Sequence, residues 1–304
     1  MRKNSQGFYS IIFSFLIFFT GTLKAQVASD SFTQAAGSYT VLTSPTTVHA
    51  ATSTTWDDAV STVTIPFNFN FNGVNYTSCS VNTNGYITFG AVPSSTTSYL
   101  PISSTTGYSG AISAFGMDLY STSTTGGNIS YKTLNSSTNR IFVIQWNNAY
   151  RYNISGAWNF QIRLNEGSNI IQVVYGSCSA SNNNNSFTAQ IGLRGNSNVD
   201  FKNLTLASNS AWLGAVAVGT LMGDSVKSRT SALPASGTTF TWTPPPACSG
   251  TPSGGTASAT PVSGAAGSTF TASVTGATAA TGLTHQWQSS PNGSAPWTNV
   301  TGAV

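Results

Sequence analysis

Tyr150, Arg151, Tyr152 and Asn153 stand together between two tryptophans, Trp146 and Trp158, with Asn147 and Asn148 before them. Flat rings flanked by amides and a guanidinium suit sugars, whose C–H faces stack while their hydroxyls take hydrogen bonds. In an extended segment positions 150 and 152 face one way and 151 and 153 the other, so the tyrosines are expected to line one shallow platform. Loops on a rigid scaffold commonly carry binding, and these four residues are the expected ligand-binding set. Trp146 and Trp158 fit core packing at strand ends.

Other chemistry is sparse. The two histidines, His49 and His285, have no nucleophile signature beside them. Asp57, Asp58 and Asp118 could form a carboxylate pair for glycoside hydrolysis, but no second element of a mechanism accompanies them, and turn capping is the plainer reading. Glu166 falls in a turn. No D-x-D-x-D-G loop marks a calcium site. Neither a catalytic residue nor a metal or other cofactor is expected. Of three cysteines, Cys79 and Cys178 share the first domain, and export would permit a disulfide between them. Two separately buried thiols are the alternative. No second cysteine or histidine stands at zinc-ligand spacing from either.

The elements that must position these residues read as strands. From Val63 to Phe71 the odd positions are apolar (Val63, Ile65, Phe67, Phe69, Phe71), with Thr64, Asn68 and Asn70 on the other parity. Asn72-Gly73 predicts a two-residue hairpin into Val74–Val81, and Asn84-Gly85 a further turn into Tyr86–Phe89. Pro66 cannot donate to a ladder, which predicts an edge or a bulge. Further strands are expected at Ser38–Leu42, Trp56–Val60, Asn128–Thr133, Arg140–Trp146, Trp158–Leu164, Ile170–Tyr175, Phe187–Leu193 and Thr238–Trp242. The fold class is all-β: an antiparallel β-sandwich, jelly-roll-like, over residues 26–243. A proline spacer, residues 244–247, leads to a second, immunoglobulin-like sandwich over 248–304 with Trp287 as its packing tryptophan. That second domain is expected to be incomplete, leaving Cys248 without its partner.

Arg2 and Lys3 precede an apolar run from Phe8 to Phe19 and a small residue at Ala25. This is the order of a secretory signal over residues 1–25, too short for a membrane span. Eleven basic residues face seven acids. Removing Arg2, Lys3 and Lys24 with the signal leaves eight against seven, a net charge of +1. No basic patch for nucleic acid survives, and no transmembrane segment is expected in the mature chain. Charged residues are only 6% of the chain, against about 25% in ordinary soluble domains. Any ligand is therefore held at short range, by hydrogen bonds and stacking.

The run CSGTPSGGTASAT, followed by GLTHQWQSSPNGSAPWTNVTGA, resembles an Ig-like repeat of large secreted Bacteroidetes proteins, with Cys248, Gly250, Pro252, Gln286, Trp287, Gln288, Ser289, Ser290, Trp297 and Thr298 in place and His285 where that pattern has tyrosine. PFNFNFNG…VNTNGYITFG and WNFQIRL…IIQVVYG resemble nidogen-like extracellular domains. These resemblances imply export, often by type IX secretion, and a surface or matrix role. The expected function is a non-enzymatic, secreted or cell-surface adhesion protein that binds extracellular polysaccharide or a matrix or cell-surface protein. The alternatives are an accessory region of a larger secreted hydrolase, or a spacer. The mature chain is expected to begin at Gln26, and amino-terminal sequencing of exported protein that still shows Arg2 and Lys3 would refute this.

Overall fold

The structure, a computed structural model, describes residues 12–15, 27–51, 55–92, 99–181, 185–207, 210–246, 253–261, 269, 271–277, 287–290 and 295–299. It divides into a unit spanning 25–245 and a second comprising 1–24 and 246–304. In the second, Thr256–Thr260 pairs antiparallel with Thr271–Thr275. Trp287–Ser290 pairs antiparallel with Ile12–Phe15 and with Thr298–Asn299, and Trp287 is buried. Cys248 lies outside the described residues.

The larger unit is two facing antiparallel sheets. One runs in the order Ser31–Ala36, Thr238–Thr243, Ile171–Tyr175, Ile154–Asn165, Ile141–Arg151, Asn128–Leu134, Thr46–Ala50. Trp56–Asp57 and Leu119–Ser121 extend it beside the end of Ile141–Arg151. The other runs Ala217–Val218, Phe201–Thr205, Ser186–Arg194, Gly110–Gly116, Tyr86–Phe89, Val74–Asn82, Val60–Phe71. The alternation from Val63 to Phe71 is realised: the five apolar side chains are buried. Asn72 and Gly73 both take positive φ at the predicted hairpin. Pro66 sits on the edge strand and in a bulge, because the pairing slips between Thr64 and Phe69. Asn169 Oδ1 accepts the Asn70 N–H on that edge at 2.9 Å.

Phe115 is the hub of the core. Its ring meets Trp158, Phe160, Tyr175 and Trp212 edge-on at centroid distances of 5.2, 5.1, 5.0 and 5.6 Å. Successive residues of a regular strand point to opposite faces, yet Ala114 and Phe115 both enter the core. A bulge achieves this, with the N–H groups of Ala114 and Phe115 both donating to Gly85 O, at 3.0 and 3.1 Å. Gly85 has φ +83°, and a Cβ there would lie 2.5 Å from Phe115 O. Only glycine fits.

Both sheets are also covered outside by irregular chain, which explains one difference from expectation. Ser38–Leu42 is not a strand. It lies across the first sheet, where Gln145 Oε1 accepts the Leu42 N–H at 3.0 Å and Gln161 Nε2 donates to Thr40 O at 2.8 Å. The real strands there are Ser31–Ala36 and Thr46–Ala50.

The expected Cys79–Cys178 disulfide is corrected: both cysteines are free. Cys79, paired with Val63 in the second sheet, is buried in the core. Cys178 follows a strand of the first sheet, its Sγ 3.6 Å from Asn159 O. Burial pushes both thiols up to about 12.

Asp30 is buried near Lys202 and Asp200. Burial pushes its carboxyl up to about 7, against the pull of Lys202 and with a further push from Asp200. A raised folded-state value means stability that is present below the ordinary value of 3.8 and is lost as pH rises through about 7. Asp30→Asn should therefore gain in melting temperature relative to wild type above that pH, and lose the gain in acid. Parallel pH profiles for the two proteins would refute this.

Candidate functional site

The hairpin of Ile141–Arg151 and Ile154–Asn165 carries the four expected ligand residues. The sequence predicts a loop there. The strands instead continue until Arg151 pairs with Ile154, leaving Tyr152-Asn153 as a two-residue turn with Asn153 at φ 61°. The continuation was masked by irregular register between Trp146 and Arg151, where Asn148 has φ 51°. Trp146 and Trp158 are fully buried, and the Trp146 Nε1–H donates to Thr83 O at 3.2 Å.

Tyr150 and Tyr152 lie on either side of a residue the sequence did not single out. Tyr120 pairs with Tyr150 across the sheet. Its ring meets those of Tyr150 and Tyr152 edge-on, at 6.3 and 5.7 Å. The expected shallow platform of two tyrosines is instead a cluster of three rings set edge-on, and Tyr152 keeps 50% of its surface exposed. Adjacent is a cleft of about 390 Å³ whose lining combines Ile154 and the Tyr152 ring with the polar side chains of Asp118, Arg151, Asn153 and Asn185. Arg151 and Asn153 were expected to face away from the tyrosines. At the turn they line this cleft with Tyr152. Burial holds the Arg151 guanidinium below its ordinary value, opposed by Asp118. The Tyr152 N–H donates to Asp118 O at 3.0 Å, fixing the turn over the acid.

The three acids read as separate turn residues come together, with oxygens of Asp57, Asp58 and Asp118 all within 4.8 Å of one another. Asn84, fully buried, organises them. Its Nδ2 donates to Asp58 Oδ1 at 2.9 Å and its Oδ1 accepts the Leu119 N–H at 2.9 Å. Tyr99 hydrogen-bonds Asp118. Burial, then the neighbouring carboxylates, raise Asp57. Burial and Asp58 raise Asp118, against the Tyr99 hydrogen bond and Arg151. Oxygen donors at this spacing are the kind that hard cations take, though Asn84 and Tyr99 already engage two of the three acids. The signal that could have found the cluster is Asn84-Gly85, whose side chain bonds an acid while its backbone turns. Sequence alone pairs Asn84 with no particular acid.

A family model described as NIDO related matches residues 31–244. The chain belongs to the NIDO-related family. The match spans the sandwich from its first strand to just past its last, so the nidogen-like domain is the unit that carries the tyrosine cluster and the acids. Comparison with curated proteins gives no match, and neither does comparison with solved structures. Among the described residues no helix is long and apolar enough to cross a membrane.

The cluster makes a measurable demand on stability. Raised carboxyls stabilise the fold only while protonated, an effect present below the ordinary value and lost as pH rises through the raised one. Asp57→Asn removes one of three mutually repelling charges. It should raise the melting temperature at pH 7 by ~1–2 °C, and the gain should vanish in acid. A lower melting temperature at pH 7 would contradict the repulsion.

Proposed function

We propose that this chain is the glycan-binding part of an exported, cell-surface or matrix protein, with the NIDO-related domain as its non-catalytic binding module. The observation that carries the reading is the Tyr120–Tyr150–Tyr152 cluster beside a cleft that carries Asp118, Arg151 and Asn153. Exposed aromatic surface next to a guanidinium, a carboxylate and amides supplies both stacking and hydroxyl recognition. The extracellular placement draws on the family and on the basic, apolar and small-residue order of residues 1–25. A Bacteroidetes-type, type IX-exported surface protein is the context that the resemblance of residues 248–304 favours, and an extracellular polysaccharide is the partner.

A second reading has an observation of its own. The Asp57–Asp58–Asp118 cluster includes raised acids beside the same cleft, the kind of pairing that glycoside hydrolysis uses. One experiment separates the two: a glycan array on the mature chain, with each bound glycan then incubated and assayed for new reducing ends. Binding without cleavage supports the binding module, and cleavage abolished by Asp118→Asn supports the hydrolase.

Tyr152→Ala should weaken glycan binding roughly two- to tenfold, taking the 0.5–1.5 kcal/mol range of aromatic pairs as the scale. Its melting temperature should stay close to that of wild type, because half of the side chain is already in water. Unchanged binding with lowered stability would mean that the ring serves packing alone.

A further inference from the structure

The outer face of the second sheet holds an arginine with too little to bond. Arg194 is 3% exposed. Its Nη2 donates to Thr106 O at 2.9 Å and the Tyr108 hydroxyl is within the reach of the guanidinium, while Nε and Nη1 have no partner of ordinary hydrogen-bond geometry. The Tyr108 ring lies 4.3 Å from the guanidinium carbon, and the Tyr108 hydroxyl donates to Pro101 O. Among the described residues the salt bridge is Arg140–Glu166, so no carboxylate neutralises Arg194.

Register shows what stands opposite. Arg194 pairs with Ala111, and Ala111 pairs with Thr88. Directly paired residues share a face, so Arg194 and Thr88 flank the small Ala111 with their Cα atoms about 10 Å apart, two strand spacings. Thr88 Oγ1 is also buried and has no hydrogen-bond partner. The segment from Pro101 to Tyr108 roofs this face, with Ile102 and Tyr108 buried and its backbone bonded by a glutamine of the sheet. Gln190 Oε1 accepts the N–H groups of Ile102 and Ser103, and Gln190 Nε2 donates to Ser103 Oγ.

A buried cation with idle N–H groups, facing an idle hydroxyl across a small floor, has the donors for an oxyanion. Water or a sugar hydroxyl would satisfy the donors but leave the charge uncompensated. We propose that Arg194 and Thr88 form a second ligand site, separate from the tyrosine cleft, that takes a carboxylate or sulfate group. The Thr106 carbonyl already occupies one position such an oxygen would fill, so the anion enters as the Pro101–Tyr108 segment lifts. Two sources share this chemistry: the acidic groups of a uronic-acid or sulfated polysaccharide, and free inorganic anions.

The test is thermal unfolding of the full chain with galacturonate, sulfate or neutral galactose at ~10 mM, ionic strength being matched with chloride, since a ligand that binds only the folded state raises its melting temperature. At least one anion should raise the melting temperature of wild type, galactose should not, and Arg194→Met should abolish the rise. Galacturonate acting alone assigns the site to a sugar carboxylate, and sulfate acting alone to a sulfate ester or free anion. No rise with either anion overturns the proposal. So does an equal rise in Arg194→Met, which is the general stabilisation expected of excluded salts. If Arg194→Met does not fold, Arg194→Lys and Thr88→Val decide, with a reduced rise expected in both and an unchanged rise in both overturning the site. Tyr152→Ala should keep the full rise. Its loss there would place the anion in the tyrosine cleft instead and overturn the second site.

Discussion

The turn at Thr83-Asn84-Gly85 is the constraint on which both the core and the candidate site depend. Gly85 O receives two successive N–H groups from the Gly110–Gly116 strand, and that shared bond swings Phe115 into the centre of the aromatic core. Thr83 O receives the Trp146 indole, and Ala114 O, on the bulge, receives the Tyr175 hydroxyl at 2.8 Å. Both of these bonds come from the opposite sheet. The two layers are thus tied at one polar point inside an otherwise apolar interior, where such bonds are strong because water does not compete. From the same turn the Asn84 amide reaches outward to Asp58 and to the backbone of Leu119, which sets Asp118 and Tyr120 beside the hairpin of Tyr150 and Tyr152.

Much of the sandwich was legible because burial writes itself into parity. Val63 to Phe71 and Trp158 to Leu164 alternate in the sequence and in the structure. Parity fails where a face that looks wet is dry. Ser80, Thr88, Ser113 and Gln190 alternate with core residues as a solvent face would, yet all four are buried, Gln190 beneath the irregular chain of Ile102 and Ser103. It fails also where a bulge resets the count, as between Trp146 and Arg151. The expected disulfide fails for a related reason. Two cysteines in one domain need not meet: Cys79 is in a strand of the second sheet, and Cys178 follows a strand of the first, against Asn159. Of the candidate site, Tyr150, Arg151, Tyr152 and Asn153 were readable from local composition. Tyr120, Asn84 and the convergence of three acids come from pairings 26 to 35 residues apart, and no local pattern encodes them.

A chain with so few charges organises its polar interior through amides. Gln145 and Gln161 bond each other at 2.9 Å and hold the covering segment on one sheet. Gln190 holds the other cover, and Asn203 Nδ2 donates to the backbone of Leu221, Met222 and Asp224. A primary amide presents both donors and acceptors at no Born cost, so it can pin irregular backbone over a sheet without importing a charge. Arg194 stands out against that pattern.

The Val60–Phe71 edge bears on how copies of the molecule treat one another. A weakly charged surface gives little mutual repulsion, and an open twelve-residue edge strand would be a template for a neighbour's strand. Here Pro66 removes one donor, the slip between Thr64 and Phe69 breaks the straight line of the strand, and Asn169 occupies the Asn70 N–H. Resistance to edge-to-edge aggregation is thus written into the backbone rather than left to electrostatics, so it persists at salt concentrations that would screen a charged protein's defences.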